Sequence, residues 1–176
     1  MSKISRRNFL LISGIGSASL YAHALDRRRT FLKPGEKSAG QQTCDPWIEL
    51  NLENMTWNLS QIRKVAKVPV MAVIKANAYG HGLVEIGRHL EEAGIDHLMV
   101  GKLQEALLLR EKGVSTPVLN FGPFSSGDAK IIVQNNISQS VFNKNVSSLN
   151  EAALKLGKRA KVHIHVDTGM GRMGIS

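Results

Sequence analysis

One lysine stands between an apolar stretch and a glycine-rich turn, and that arrangement can do chemistry. Residues 70–74 are apolar and partly β-branched, which predicts a strand buried on both faces of a parallel sheet. Lys75 follows at the carboxyl end of this strand, where parallel α/β folds hold their reactive groups. Partial burial disfavours the charged form of a lysine, and a neutral amine can condense with a carbonyl compound. Lys75 is therefore a candidate nucleophile, and the alternative is a lysine that extends from a strand end into solvent.

The residues after Lys75 predict a turn that suits an anionic ligand. Gly80 and Gly82 permit backbone conformations that other residues rarely adopt. Tyr79 carries a phenol that can donate a hydrogen bond to a phosphate oxygen. The alternative for Tyr79 is a core tyrosine whose hydroxyl is paired inside the protein.

A second polar group lies in residues 161–174. Side chains alternate along a strand, so His163, His165 and Asp167 share one face. Two imidazoles and a carboxylate could share a zinc ion, but the sequence has no further His or Cys cluster, and we predict no metal site. In the glycine turn that follows, Arg172 offers fixed donors and a permanent positive charge to an oxygen-rich ligand. Taken alone, this arginine is more typical of a surface turn.

Together the two stretches resemble signatures of the alanine racemase family. Residues 73–82, VIKANAYGHG, are similar to the motif around that family's cofactor lysine, and residues 166–174, VDTGMGRMG, are similar to its second signature. The resemblance implies a fold-type III enzyme that uses pyridoxal 5'-phosphate. It also implies that Lys75 is catalytic and binds the cofactor covalently, that Tyr79 binds the cofactor phosphate, and that Arg172 is a catalytic residue beside the cofactor.

The resemblance implies an activity as well. The expected reaction is the interconversion of L- and D-alanine, or of a broader set of amino acids as in exported relatives, which supplies D-amino acids for cell-wall peptidoglycan. In the family, the lysine moves the α-proton on one face of the substrate and a tyrosine of the other subunit serves the opposite face, so a homodimer is expected for the full-length protein.

One position departs from the family pattern. Many members carry a lysine, often carbamylated, two residues before the aspartate of the second signature, where it orients the arginine. Here that position is His165, and a histidine cannot form the carbamate. Arg172 must then be held by chloride, by His165 or by another group, and the substrate range stays open.

Alternating strands and helices must position these residues. Strands are predicted at residues 47–52, 70–74, 97–101, 116–121, 138–142 and 161–167. Residues 47–52 also resemble the racemase opening strand, which pairs with a separate β-domain. The first helix is expected to bury one face, formed by Leu52, Met55, Leu59, Ile62 and Val65, and a later helix is expected to begin at a capping box, Ser148–Glu151. The alternation indicates a parallel α/β fold, and the resemblance selects the N-terminal portion of a (β/α)8 TIM-type barrel, incomplete in this chain.

Composition adds little about function. The 176 residues are 43% hydrophobic and 21% charged, which is ordinary for a globular protein. Much of the net charge of +9 lies before residue 40, and the rest of the sequence shows no basic patch interleaved with aromatic residues, so we expect no nucleic-acid partner.

Residues 1–24 are typical of a signal peptide. Arg6 and Arg7 precede a short apolar stretch, and Ala22-His23-Ala24 is a small-x-small cleavage site. The twin arginine resembles the bacterial twin-arginine export signal, which predicts a periplasmic or exported protein; without export the protein would be cytoplasmic. The apolar stretch is too short and too rich in Gly and Ser for a stable membrane span, and an uncleaved anchor is the alternative.

Residues 25–46 are predicted to be a linker, and residues 47–176 the barrel domain. Cys44 is the single cysteine, so no internal disulfide can form. A second functional hypothesis is a truncated, non-catalytic chain that binds pyridoxal phosphate or serves as a partner subunit, because an incomplete barrel exposes strand edges. A cofactor-carrier protein of the single-domain barrel type is a third, but that family lacks the VDTGMGR turn.

Overall fold

The computed structural model describes residues 47–175. The predicted signal peptide, the predicted linker and Cys44 lie outside the described residues. Within residues 47–175, none of the helices is both long and apolar enough to cross a bilayer.

Strands and helices alternate along the described chain. In order they are α1 (Leu52–Ala66), β1 (Met71–Val73), the helical turn α2 (Lys75–Tyr79), α3 (Leu83–Glu92), β2 (His97–Val100), α4 (Leu103–Glu111), β3 (Val118–Asn120), a 3-10 turn (Ser126–Asp128), α5 (Ala129–Gln134), β4 (Ile137–Val141), α6 (Val146–Leu156) and β5 (Val162–Ile164). The five strands pair in parallel in the order β1-β2-β3-β4-β5. This is a TIM-barrel-type α/β arrangement, as predicted.

The register of the sheet places apolar residues in a row across neighbouring strands. Leu98 pairs with Val118, and Val118 pairs with Ile137. All three are at most 2% exposed. The helices contribute buried residues to the same core, spaced three and four positions apart on one helix face. Examples are Leu83, Ile86 and Leu90 of α3 and Leu149, Ala152 and Ala153 of α6. Burial of these side chains, at roughly 1.5–3 kcal/mol for each large one, is the main force that holds the layers together.

The strand predicted at residues 47–52 is wrong. Residues 47–51 have no regular structure, and Trp47 is 83% exposed. A strand is stabilised by hydrogen bonds to a neighbouring strand, and no strand of the described part of the chain pairs with these residues.

Helix α1 forms where it is predicted but buries less than its sequence pattern suggests. Leu59 is 5% exposed, whereas Val65 is 85% exposed. Two polar contacts attach this helix to the rest of the fold. Thr56 Oγ1 lies 2.9 Å from His89 Nε2 of α3, and Arg63 forms an ion pair with Asp96, which precedes β2. Asp96 also accepts a hydrogen bond from the Val70 backbone N–H, so these contacts fix the approach to β1.

Two further predictions are corrected by the structure. Strand β1 is not buried on both faces, because it lies at an edge of the described sheet and Val73 is 41% exposed. Helix α6 begins at Val146, before the predicted capping box. The Ser148 hydroxyl instead donates back to the Asn145 carbonyl within the first turn.

Candidate active site

The carboxyl ends of the parallel strands meet at one edge of the sheet, and the predicted site residues lie there. Lys75 follows β1, Gly101 follows β2, and Gly122 follows β3. Phe142 follows β4, and His165 follows β5. The topology alone therefore brings both signature stretches to the same side of the fold.

The turn that follows Lys75 is left-handed. Residues 76–79 have φ values of 54°, 56°, 51° and 56°, although none of them is glycine. A left-handed conformation costs an L-residue roughly 1–2 kcal/mol, so the surroundings must compensate for several such residues in a row. Gly80 and Gly82, with φ of 91° and 99°, confirm the predicted role of the glycines. The left-handed residues before them are not signalled by the sequence.

Hydrogen bonds within the segment close the turn on itself. The Ala78 N–H donates to the Ile74 carbonyl at 2.9 Å, and the Gly80 N–H donates to the Ala76 carbonyl at 3.1 Å. The side-chain oxygen of Asn77 accepts from the Leu83 N–H at 2.8 Å, which joins the turn to the start of α3.

One carboxylate from outside the turn also binds it. Glu105 lies in the first turn of α4 and is half-buried. Its Oε1 accepts from the Asn77 N–H at 3.0 Å, while Oε2 accepts from the N–H groups of Gly101 at 3.0 Å and Lys102 at 3.2 Å. Glu105 thus links the turn after β1 to the end of β2. An acidic residue in the first turn of a helix is visible in the sequence, but its contact with a segment 28 residues away is not.

The turn presents Lys75 and Tyr79 to the same side. Lys75 Nζ lies 6.0 Å from the centre of the Tyr79 ring. Tyr79 is 59% exposed, so it is not a core tyrosine. Lys75 is exposed rather than partly buried as predicted, because β1 is an edge strand. Gly101 leaves room for the lysine stem, since a Cβ there would lie 3.3 Å from the Lys75 Cβ.

A paired polar cluster joins the end of β3 to the middle of β4. Asn120 and Gln139 are 0% exposed. The Asn120 side-chain nitrogen donates to Gln139 Oε1 at 2.8 Å, and the Gln139 nitrogen donates to the Gly122 carbonyl at 2.8 Å. Buried amides that are paired in this way favour a single arrangement of these two strands.

His165 packs between two aromatic rings at the end of β5. Its ring centre lies 4.8 Å from that of Phe121 and 6.2 Å from that of Phe142. Its Nδ1 is buried and has no hydrogen-bond partner among the described residues. Nearly all buried polar atoms in proteins are paired, and an unpaired one lowers stability, so this nitrogen is an unfavourable feature of the fold.

The turn that carries Arg172 is organised by Asp167. The Asp167 carboxylate accepts from the N–H groups of Gly171 at 3.1 Å and Gly169 at 2.9 Å, and these bonds lower the pKa of Asp167.

Arg172 itself is exposed. It follows β5, at the opposite edge of the described sheet from β1, and makes no hydrogen bond or ion pair within residues 47–175. The structure therefore brings Lys75 and Tyr79 together. Arg172 makes no hydrogen bond or ion pair with either of them.

His163 and Asp167 do not complete a metal site with His165. No three His, Cys, Asp or Glu side chains of the described part of the chain lie close enough together to hold an ion. His163 is exposed, whereas His165 is half-buried between the aromatic rings. His163 of β5 and His165 just after it thus have different surroundings.

Comparison with known proteins places the chain in a family. The alanine racemase N-terminal domain matches residues 50–176. Alanine racemase 1 of Caldanaerobacter subterraneus subsp. tengcongensis is 43% identical over 130 residues, which are 72% of this chain and 34% of that protein.

Solved structures agree with this result. The alanine racemase of Clostridium difficile 630 superposes with a TM-score of 0.68 at 35% identity, over 71% of this chain and 34% of that one. A histidine racemase from Leuconostoc mesenteroides superposes with a TM-score of 0.66 at 30% identity, over 71% of this chain and 34% of that one. The chain thus spans about a third of the length of these relatives. The match over residues 50–176, the shared fold and both signature stretches establish that this chain belongs to the alanine racemase family through its N-terminal domain.

Proposed function

We propose that this chain supplies the lysine side of a racemase site that uses pyridoxal 5'-phosphate and acts on alanine. The observation that carries the proposal is the turn α2, which presents an amine and a phenol at the same strand-end edge, with Lys75 Nζ 6.0 Å from the Tyr79 ring centre. An amine fits the aldehyde of this cofactor and a phenol fits its phosphate. The glycine at position 101 keeps the adjoining space free of a side chain.

Each residue has a distinct task in this proposal. When bound, pyridoxal phosphate withdraws the electron pair that remains on the substrate α-carbon after proton loss. Lys75 would hold the cofactor through its amine. Once the substrate amine has replaced it there, the freed Nζ would take or return the α-proton on one face of the substrate. Tyr79 donates its hydroxyl hydrogen to a phosphate oxygen. Arg172 contributes a fixed positive charge near the oxygen-rich ligands, and Asp167 holds the turn that carries it.

Alanine is the proposed substrate because most of the similar proteins are named alanine racemases, although a histidine racemase shares the fold. His165, where many family members have a lysine, is a difference near the Arg172 turn that supports a broader range of amino acids. D-amino acids made in this way would serve cell-wall peptidoglycan. The full site is proposed to form in a homodimer, with the base for the second face of the substrate supplied by the other subunit.

Production of D-alanine tests the proposal. The chain is incubated with L-alanine and pyridoxal phosphate, and D-alanine is measured with a stereospecific oxidase, with Lys75→Ala as the control. Turnover that disappears in Lys75→Ala supports the racemase. Turnover that persists in Lys75→Ala would refute the role of this lysine.

A second candidate is a non-catalytic chain that binds the cofactor or acts as a partner subunit. Strand β5 favours it, because this edge strand exposes 42% of Val162 and 69% of Ile164 and could pair with another segment. Cofactor binding at Lys75 without D-alanine formation would support this candidate, whereas turnover by this chain alone would exclude it.

We also propose that residues 1–24 direct export by the twin-arginine route, that residues 25–46 are a linker and that residues 47–176 form the barrel domain. The conservative double substitution of Arg6 and Arg7 by lysine tests the first point. We expect an uncleaved precursor in the cytoplasm, detected by cell fractionation and immunoblotting. Unchanged accumulation in the periplasm would rule out this signal.

A further inference from the structure

We propose that Glu105 is a positioning residue of this site, whose carboxylate holds the left-handed turn in the conformation that presents Lys75. The inference rests on the proposed function, because it assigns Glu105 a role towards the cofactor lysine. Glu105 does not itself act on the substrate.

The two oxygens of Glu105 serve two different strand ends. Oε1 accepts from Asn77 in the turn after β1, and Oε2 accepts from Gly101 and Lys102 after β2. The stem of Lys75 lies beside this bridge. A Cβ at Gly101 would lie 3.3 Å from the Lys75 Cβ and 3.8 Å from Glu105 Oε2, so all three groups are neighbours.

The turn needs a stabilising contact from outside itself, because its backbone is strained. Residues 76–79 are all left-handed, and none is glycine. The bonds that the turn makes with its own carbonyls close it but do not attach it to the next strand. The bond from the Asn77 N–H to Glu105 provides that attachment, and a carboxylate acceptor makes it stronger than a neutral one would.

Another carboxylate with the same kind of contacts provides a matched control. Glu91 Oε1 accepts from the backbone and hydroxyl groups of Ser115 and Thr116. These residues precede β3, whereas the Lys75 turn follows β1, so Glu91 acts at the opposite end of the parallel strands. Loss of Glu91 is expected to weaken the fold without changing the turn.

The experiment compares Glu105→Gln with Glu91→Gln in the 176-residue chain. Glutamine has the same size, but one end of its amide is a donor and can no longer accept hydrogen bonds. Two quantities are measured: amide hydrogen exchange at Asn77, and the rate at which pyridoxal phosphate followed by borohydride labels Lys75, read by peptide mass spectrometry.

In Glu105→Gln we expect amide exchange at Asn77 to become about tenfold faster and labelling of Lys75 about tenfold slower. A tenfold change is the effect of losing one charge-assisted hydrogen bond. Glu91→Gln should leave both quantities unchanged. Glu105→Asp keeps a charged acceptor in the first turn of α4 but is one methylene shorter, so it should show the same loss. Full labelling in Glu105→Gln or in Glu105→Asp would overturn the inference.

A glycine rescue separates positioning from simple helix capping. Glycine adopts left-handed backbone angles without strain, and Ala76 is exposed, so Ala76→Gly removes strain without leaving a cavity. Adding Ala76→Gly to Glu105→Gln should restore much of the Lys75 labelling. No recovery would mean that Glu105 acts only as a cap of α4 and would overturn the inference.

The two levels of the proposal fail in different ways. If the unsubstituted chain is not labelled at Lys75, the proposed function fails. If the unsubstituted chain is labelled and Glu105→Gln is labelled equally fast, only the inference about Glu105 fails.

Discussion

At the scale of single residues, Asp167 shows how one carboxylate can shape the turn that carries Arg172. It accepts hydrogen bonds from Gly171 and Gly169, and these bonds lower its pKa below the ordinary value. A group whose pKa is lower in the folded protein stabilises the fold above its unfolded-state pKa. That stabilisation is lost as the pH falls through the folded-state pKa.

The turn that carries Arg172 should therefore open in acid. Between pH 6 and pH 4, above the unfolded-state pKa of about 3.9, we expect the Gly169 and Gly171 amides to remain protected from hydrogen exchange. At lower pH the protection should disappear as Asp167 takes up a proton. Asp167→Asn should lack this pH dependence, and the same acid transition in that variant would contradict the assignment to Asp167.

His165 allows a second prediction at this scale. Its Nδ1 is buried without a partner among the described residues, and its ring packs against Phe121 and Phe142. An unpaired buried polar atom lowers stability by roughly 1–3 kcal/mol. His165→Leu should therefore raise the free energy of unfolding by about 1 kcal/mol, measured by urea denaturation. A loss of stability would show instead that the imidazole has a partner, such as a bound water.

At the scale of elements, the ends of β2 and β3 approach each other more closely than side chains allow. A Cβ on Gly122 would overlap the carbonyl oxygen of Gly101. Both glycines follow their strands at the edge that carries the site. Glycine is therefore required at position 122 by contact between two backbones.

Gly122→Ala should separate these strand ends and lower the free energy of unfolding by about 1–3 kcal/mol, the usual effect of overpacking. The control is Gly127→Ala, whose Cβ would lie an ordinary 3.6 Å from Ser125 Oγ. The control should change stability by less than about 1 kcal/mol, since it alters mainly the flexibility of the unfolded chain. Equal effects in urea denaturation would refute the close approach.

The elements also show what a sequence can predict. Strands β2 and β3 were predictable because apolar runs between turn residues encode buried strands locally. The left-handed turn at residues 76–79 was not, since it depends on Glu105, which approaches from α4. The prediction that Val73 is buried and Lys75 partly buried was also wrong. Both residues are exposed because β1 lies at an edge of the described sheet.

At the scale of the whole molecule, two short signatures predicted the family and the fold class, whereas periodicity predicted only a parallel α/β architecture. The strand predicted at residues 47–52 failed because strand pairing depends on a partner that its own sequence does not encode. The joint placement of Lys75 and Tyr79 followed from the motif. That Arg172 follows the strand at the opposite edge of the described sheet became visible only from the strand order.

The most direct test of the account is to find where pyridoxal phosphate attaches to the chain. After incubation and borohydride reduction, digestion and mass spectrometry identify the modified lysine. When less than one equivalent of cofactor is added, we expect the label predominantly on Lys75. This label should disappear in Lys75→Ala. Label spread evenly over the exposed lysines, or unchanged total labelling in Lys75→Ala, would contradict the assignment of this edge of the sheet as a cofactor site.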